Sequence, residues 1–271
     1  MKRLPDLLRD GGEIQLDRAA LEIARIEYPN LDIEPLIGLL DSHAAELAGR
    51  LGGNTSGSGY LDAANRYLFQ ELGFKGNSED YYDPRNSCLN DVLIARTGIP
   101  ITLSVVYMEI ARRLARPVFG IGLPGHFLVE YEGQDFRAYI DVFHRGRLLS
   151  AAQCYDLARQ STGEAVGNDA RLLARASHRQ IVARMLRNLK SVYLHRGAYA
   201  KALQAIDLLL AAEPDAAQEY RLRGLLQFQM GNSGAARADL ETYLRLAPDA
   251  SDRAEIEQRV QSLRGYQARM N

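Results

Sequence analysis

The sequence predicts an α+β domain followed by an all-α domain built from helical repeats. Three observations support this prediction: apolar residues recur at helical spacing in the first third, three short strand-like runs follow, and two similar helical segments lie 34 residues apart near the C-terminus. Helices that precede an antiparallel meander are typical of an α+β arrangement. We therefore predict two domains, at residues 1–165 and 176–271.

Composition excludes several classes of protein. The 271 residues are 46% hydrophobic and 25% charged, with a formal net charge of −1. This charge gives no overall positive field for nucleic acid, and no run of about 18 apolar residues exists that could cross a membrane. The N-terminus lacks the apolar segment of a secretory signal, and two cysteines make no disulfide framework. We expect a cytoplasmic protein that binds neither nucleic acid nor membrane.

Three helices are predicted in the first third of the chain. Periodic apolar residues place them at 16–29, 32–51 and 60–74. Asp32 is a plausible cap for the second helix. The Gly- and Ser-rich segment 52–59 is expected to be a flexible loop.

Two more helices follow, separated by the motif TGIP. The first, at residues 88–96, is short, with Ser87 as its expected N-cap. The second, at residues 101–115, is apolar around most of its circumference, which is typical of a helix buried in the middle of a domain.

The strand-like runs are VFGIG, HFLVEY and AYIDVF, and a hairpin turn is expected between the last two. His126 begins the second run after a Pro-Gly turn, and Asp141 lies inside the third. A histidine and an aspartate on neighbouring strands are two of the three members of a catalytic triad.

The C-terminal part contains a repeat of 34 residues. The same offset relates four pairs of residues: Gly197 and Gly231, Ala202 and Ala236, Leu210 and Leu244, Pro214 and Pro248. This pattern resembles the tetratricopeptide repeat, a helical hairpin whose small residues let its helices approach closely. We predict two repeats and a final capping helix, although Lys190 stands where the first repeat normally has a small residue.

The order of short helix, turn, buried helix and strands bearing His and Asp resembles the transglutaminase-like fold of papain-type cysteine enzymes. The resemblance implies a nucleophilic cysteine at the start of the buried helix, with His126 as its base and Asp141 orienting the imidazole. The motif VLIARTGIP matches the family pattern, but Pro100 falls on the position of the cysteine. A proline has no nucleophilic atom.

A narrower resemblance is to the SirB-type bacterial proteins, in which a transglutaminase-like core precedes tetratricopeptide repeats. The phrases GIPITLS, PGHFLV and IDVF carry this resemblance. Members of that group are described as regulators without an established enzymatic activity. The resemblance implies a core that has kept the fold and lost its usual reaction.

Other nucleophiles are possible in principle. Cys88 begins the helix before the buried one, and ten residues at about 1.5 Å each would put it roughly 15 Å from the family's nucleophile position. We expect it to be a buried packing residue. Thr102 and Ser104 lie in the first turns of the buried helix, where capping or packing is the expected role of a hydroxyl.

The leading interpretation is a non-catalytic protein with a ligand groove and a docking domain. The groove would contain His126 and Asp141 together with Pro100, Thr102, Ser104 and Asn86. His126, Asp141 and His144 lack tight ligand spacing, so no metal site and no cofactor are predicted. The alternative is an active amidase or acyltransferase that uses His126 and Asp141 with Cys88, Thr102 or Ser104.

A protein or peptide partner is expected on the repeats, since stacked helical hairpins present a concave face to an extended or helical peptide. The predicted contacts are Tyr193, Tyr220 and Gln227. Basic residues on the leading helix of the first repeat, including Lys190, would suit an acidic peptide.

Overall fold

The computed structural model describes residues 4–10, 12–53, 56–134, 136–163, 167 and 169–270. The chain forms two compact units. The core unit is Gly12–Asn188, and the repeat unit comprises Met1–Gly11 and Leu189–Asn271. No helix in the described part of the chain is both long and apolar enough to span a membrane.

The predicted α+β class is confirmed for the core unit, which combines helices with two small sheets. The helices are α2 (Leu16–Ala24), α3 (Glu34–Leu51), α4 (Gly57–Asn65), α5 (Leu89–Ala95), α6 (Pro100–Arg113) and α7 (Ala151–Thr162), followed by the first part of α8 (His178–His195). The strands are β1 (Lys75–Gly76), β2 (Thr97–Gly98), β3 (Val118–Ile121), β4 (Leu128–Glu132), β5 (Arg137–Asp141) and β6 (Arg147–Leu149).

The larger sheet is antiparallel, in the order β3-β4-β5-β6, while β1 and β2 form a parallel pair. The predicted hairpin is present, with Tyr131 opposite Ala138. Strand β6 was not predicted. Helix α6 is the central helix of the core unit, since every residue from 100 to 111 is buried, as its apolar circumference indicated.

Several helix boundaries differ from prediction because local caps decided them. Helix α4 begins at Gly57, since Ser56 Oγ accepts the Gly59 N–H over 3.1 Å. The predicted loop is therefore shorter, and its residues 54 and 55 lie outside the described residues. Cys88 is the N-cap of α5, because the predicted cap, Ser87, belongs to the 3₁₀ turn before it.

The repeat unit consists of helical hairpins, as the 34-residue period predicted. Its helices are α1 (Leu4–Asp10), the end of α8, α9 (Tyr199–Ala212), α10 (Ala217–Gln229), α11 (Ser233–Leu246) and α12 (Arg253–Met270). Gly197 and Gly231 take the same place in the two hairpin turns, with φ of +68° and +81°. A Cβ on Gly224 would lie 2.9 Å from Leu240, so α10 and α11 approach too closely for a larger residue.

The N-terminal helix differs most from the predicted organisation. The sequence assigned it to the first domain, but α1 packs on α9 in the repeat unit, and its residues Leu4 and Leu8 are buried. The boundaries at 165 and 176 stay a prediction, and residue 165 lies outside the described part.

Candidate functional site

His126 lies in a tight turn two residues before β4. Its N–H donates to Leu123 O over 3.2 Å. Gly125 has φ of +69°, and a Cβ there would lie 2.6 Å from Ser161 Cβ, so the turn requires glycine. Arg184 Nη2 donates to the carbonyl oxygens of Leu123 and His126, each over 2.7 Å. These contacts hold the backbone that carries the imidazole.

Asp141 ends β5 and places its carboxylate between two imidazole rings. His126 Nε2 lies 3.0 Å from Asp141 Oδ1, and His144 Nδ1 lies 2.7 Å from Oδ2. The two rings stack with 6.0 Å between their centroids and 28° between their planes. The side chains of His126 and Asp141 are 8% and 3% exposed, whereas that of His144 is 54% exposed. The cluster is therefore open to solvent at His144.

The charge state of Asp141 follows from opposing effects. Burial by itself raises the pKa of this carboxyl group. Hydrogen bonding and electrostatic attraction from His126, and then from His144, outweigh burial and hold the pKa of Asp141 below its usual value. Asp141 is therefore a carboxylate at neutral pH.

The first turns of α6, where the family pattern places the nucleophile, contain the buried hydroxyls of Thr102 and Ser104. Thr102 Oγ1 donates to Asn86 O over 2.7 Å and accepts the Ile99 N–H over 3.2 Å. Ser104 Oγ donates to Pro100 O over 2.8 Å. Both hydroxyl-bearing residues are 0% exposed. They cap and pack the helix in this structure.

The backbone just before Cys88 contacts the start of α6. The estimate of roughly 15 Å assumed a chain that continues in one direction, but the backbone reverses at Arg96, which has φ of +55°. Asn86 O accepts hydrogen bonds from both Thr102 Oγ1 and the Ile99 N–H. Cys88 follows two residues later and is 0% exposed. The burial of Cys88 argues against a role as nucleophile.

The second thiol, Cys154, is also buried. It packs in an apolar cluster with Leu128 and Leu149. Burial, and then the negative charge of Asp141, raise the pKa of the thiol to about 12. Cys154 is therefore protonated at neutral pH.

A cavity of about 570 Å³ adjoins the cluster at His144. Its lining residues are Lys75, Gly76, Asn77, Ser78, Glu79, Thr97, Phe143, His144 and Arg145. Asn86 supports this wall, because its Oδ1 accepts from Asn77 Nδ2 over 3.0 Å. Among the described residues, the lining of this cavity includes neither His126 nor Asp141. It also includes none of the other four residues predicted for the groove. A groove role for Pro100, Thr102, Ser104 and Asn86 stays a prediction that their burial does not support.

The three predicted peptide contacts lie in the repeat unit in different environments. Tyr193 is 1% exposed, so its ring is part of the interior and does not present a face to a peptide. Tyr220 is half-buried, with the Arg223 guanidinium 5.5 Å from its ring centroid. Gln227 is also half-buried, and its Oε1 accepts from Asn232 Nδ2 over 2.7 Å.

Contacts of two residues of the site were not predicted from the sequence. His144 is a metal candidate in the sequence, but its contact with Asp141 was not expected. The spacing Asp-x-x-His before Arg-Gly was the available signal, because residues three apart can meet across a tight turn. Arg184 gave no signal of this kind, since it contacts a carbonyl 58 residues earlier in the chain.

Two partial likenesses concern other kinds of protein. Human F-box only protein 21 is 36% identical over 182 residues, which cover 63% of this chain and 28% of that protein. Menin, a solved structure described as revealing the binding site for Mixed Lineage Leukemia protein, aligns with 94% of this chain and 72% of its own. With a TM-score of 0.44 and 13% identity, that likeness supports no inference.

The family matches and the bacterial relatives cover both the core unit and the repeat unit. The transglutaminase-like superfamily matches residues 35–187, and the tetratricopeptide repeat matches residues 189–261. A UPF0162 protein of Xylella fastidiosa is 40% identical over 242 residues, covering 88% of this chain and 86% of that protein. A UPF0162 protein of Pseudomonas aeruginosa is 30% identical over 248 residues, covering 92% and 90%. The chain therefore belongs to the UPF0162 proteins of the transglutaminase-like superfamily, with tetratricopeptide repeats after the core.

Proposed function

We propose that this protein is a non-catalytic member of its superfamily whose repeat unit docks a protein or peptide partner. The start of α6 is the observation that carries the proposal. Pro100 stands where the family pattern requires a nucleophile, and the hydroxyls of Thr102 and Ser104 are bonded to backbone. A general base such as His126 contributes nothing to covalent catalysis without a nucleophile beside it.

The cysteines support the same conclusion. Cys88 and Cys154 are both 0% exposed, and a catalytic thiol must be reached by its substrate. The raised pKa of Cys154 makes its thiolate rare at neutral pH.

The repeat unit supports a docking role, because tetratricopeptide repeats present extended surfaces to other proteins. Its cations are largely matched within the unit: Lys190 pairs with Glu219, and Arg223 pairs with Asp239. These pairs weaken the expected attraction for an acidic peptide. Phe228 on α10 is 45% exposed and is the better contact for an apolar side chain of the partner. A regulatory, cytoplasmic role of the SirB type without nucleic acid binding belongs to this proposal.

Site-specific photo-crosslinking tests the docking role. A photoreactive amino acid at position 228 is compared with one at position 148, because Leu148 is similarly exposed, at 46%, but lies in the core unit. We expect a discrete crosslinked partner from position 228, reduced by a Q227A substitution. The same products from both positions would contradict docking on α10.

A screen of chromogenic amides and esters tests the absence of catalysis. We expect the full-length protein to show no turnover above that of its H126A variant. The 3.0 Å contact between His126 and Asp141 favours the alternative, an amidase or acyltransferase, since it orients the ring as in a triad. Turnover that requires His126 together with Cys88, Thr102 or Ser104 would establish that alternative.

A further inference from the structure

We propose that His126, Asp141 and His144 form a binding site for a divalent transition-metal ion such as Zn²⁺, Co²⁺ or Fe²⁺. Each residue offers one ligand atom, and these atoms all lie within 4.8 Å of one another. The inference does not depend on the docking role, because metal binding requires neither a nucleophile nor the repeat unit.

The type of donor selects the class of metal. Two imidazole nitrogens and one carboxylate oxygen suit Zn²⁺ and the neighbouring transition metals, whereas Mg²⁺ and Ca²⁺ prefer oxygen ligands. Around one tetrahedral ion with bonds of about 2.0–2.1 Å, ligand atoms lie about 3.3 Å apart. Each imidazole nitrogen lies this close to one oxygen of Asp141, His126 Nε2 at 3.0 Å from Oδ1 and His144 Nδ1 at 2.7 Å from Oδ2. With one ligand atom from each residue, the three atoms lie within 4.8 Å, so a shift of about 1.5 Å completes the site. The exposed His144 ring is the one that can rotate to bring the remaining atoms together.

The backbone holds the ligands in place before any ion arrives. His126 is held by the turn that Arg184 bridges, and Asp141 ends a strand that pairs with β4 through Ile140 and Val129. His144 lies in a tight turn that closes when the Gly146 N–H donates to Asp141 O over 2.9 Å. Ligands held in this way lose little conformational entropy on binding.

The surroundings also favour an ion at the three ligand atoms. Phe143 lies edge-on to both imidazoles, with centroid distances of 6.1 Å to His126 and 5.2 Å to His144. This apolar neighbour limits water on one side and strengthens charge–charge attraction. His144 also borders the 570 Å³ cavity, which Lys75 and Arg145 line as well. That open side leaves coordination positions for water or for an anionic ligand.

A second imidazole distinguishes this cluster from an ordinary His–Asp pair. One carboxylate oxygen is enough to orient His126, yet the other is engaged by His144. The sequence predicts no metal site, because residues 126, 141 and 144 have no ligand spacing along the chain. The fold supplies the spacing that the sequence lacks.

Cobalt titration of the full-length protein tests the proposal. The protein is stripped with a chelator, Co²⁺ is added while its visible absorption bands are recorded, and Zn²⁺ is then used to displace it. We expect one equivalent to bind, and H144A to weaken binding about tenfold or more. H195A is the matched control, since His195 is an exposed histidine of the repeat unit and should bind as the unsubstituted protein does.

Thermal unfolding shows whether a variant that fails to bind Co²⁺ is still folded. Zn²⁺ should raise the Tm of the unsubstituted protein and of H195A, whereas the Tm of H144A should be the same with and without Zn²⁺. The D141N variant, which keeps the shape and removes the charge, should lose this rise in Tm. Equal Co²⁺ affinity in H144A and H195A, or no binding by the unsubstituted protein, would show a purely hydrogen-bonded cluster and overturn the proposal.

Discussion

The two sides of the candidate site in the core unit differ in what their polar atoms can reach. The strand side, His126, Asp141 and His144, concentrates three ionisable side chains within 4.8 Å and is open at His144. The helix side, Pro100, Thr102 and Ser104, is fully buried and bonds its hydroxyls to backbone carbonyls. The strand side therefore exposes its polar atoms to solvent at His144, while the hydroxyls of the helix side are buried and bonded to the backbone.

Thiol labelling gives the largest effect expected from this comparison. We expect both cysteines of the native protein to react with iodoacetamide at pH 8 about a thousandfold more slowly than in denaturant. For Cys154 the reason is twofold, since burial blocks access and a pKa of about 12 leaves about one thiolate in ten thousand at that pH. Mass spectrometry of the two cysteine-containing peptides measures both rates. Fast labelling of Cys88 in the native protein that depends on His126 would show that Cys88 is a reactive nucleophile and would contradict the non-catalytic proposal.

Substitution of Gly125, in the turn that carries His126, should give the second-largest effect, a loss of stability. In G125A the new Cβ meets Ser161 and the residue keeps a positive φ, so we expect the free energy of unfolding to fall by about 3 kcal/mol. Gly163 is the matched control, because it also has φ of +69° but nothing lies within 4 Å of its Cβ position. G163A should cost only about 1 kcal/mol. Urea denaturation measures both, and equal losses would show that the contact with Ser161 has no effect.

Removal of the Arg184 side chain, which bonds the same turn, should lower the free energy of unfolding by less than G125A does. R184A deletes two hydrogen bonds from a charged donor, so we expect a loss of about 2 kcal/mol in the free energy of unfolding. R187A changes an exposed arginine on the same helix and should stay within about 0.5 kcal/mol. A loss in R187A as large as that in R184A would mean that charge on α8, and not the clamp, stabilises the core unit.

The hydroxyls of the helix side should give the smallest effects. T102V removes a cap that joins Asn86 to the start of α6, so a loss of about 1–2 kcal/mol is expected. S104A removes only a bond to the carbonyl four residues earlier and should change stability by less than about 0.5 kcal/mol. Denaturation curves of the two variants test this order. A larger loss for S104A would contradict the assignment of Thr102 as the capping residue.

Much of the fold could be predicted because its signals are local. The 34-residue offset placed the two turn glycines of the repeats, and both adopt the left-handed backbone that glycine favours. The apolar circumference of α6 predicted its burial in the same way. Helix starts were less predictable, since a cap depends on which side chain turns toward the first N–H groups. Ser56 moved the start of α4 for this reason.

The site was only half predictable. His126 and Asp141 stand at the ends of segments that the hairpin pattern brings together, so their contact followed from the strands. The approach of Asn86 to α6 did not, because it depends on a chain reversal at Arg96, a residue type with no special preference for positive φ. The estimate of roughly 15 Å for Cys88 assumed no such reversal, and it stays a prediction.

By itself, the sequence determined the buried helix α6, the repeat period, the hairpin and the proline at the family's nucleophile position, since each depends on neighbouring residues or on a fixed period. Only the tertiary structure decided that His144 shares the carboxylate of Asp141, that Arg184 supports the His126 turn and that α1 packs on α9. The contact of Arg184 with His126 and that of α1 with α9 join segments far apart in the chain, whose separation carries no pattern, and the contact of His144 depends on how one tight turn closes. Packing and chain reversal bring them together.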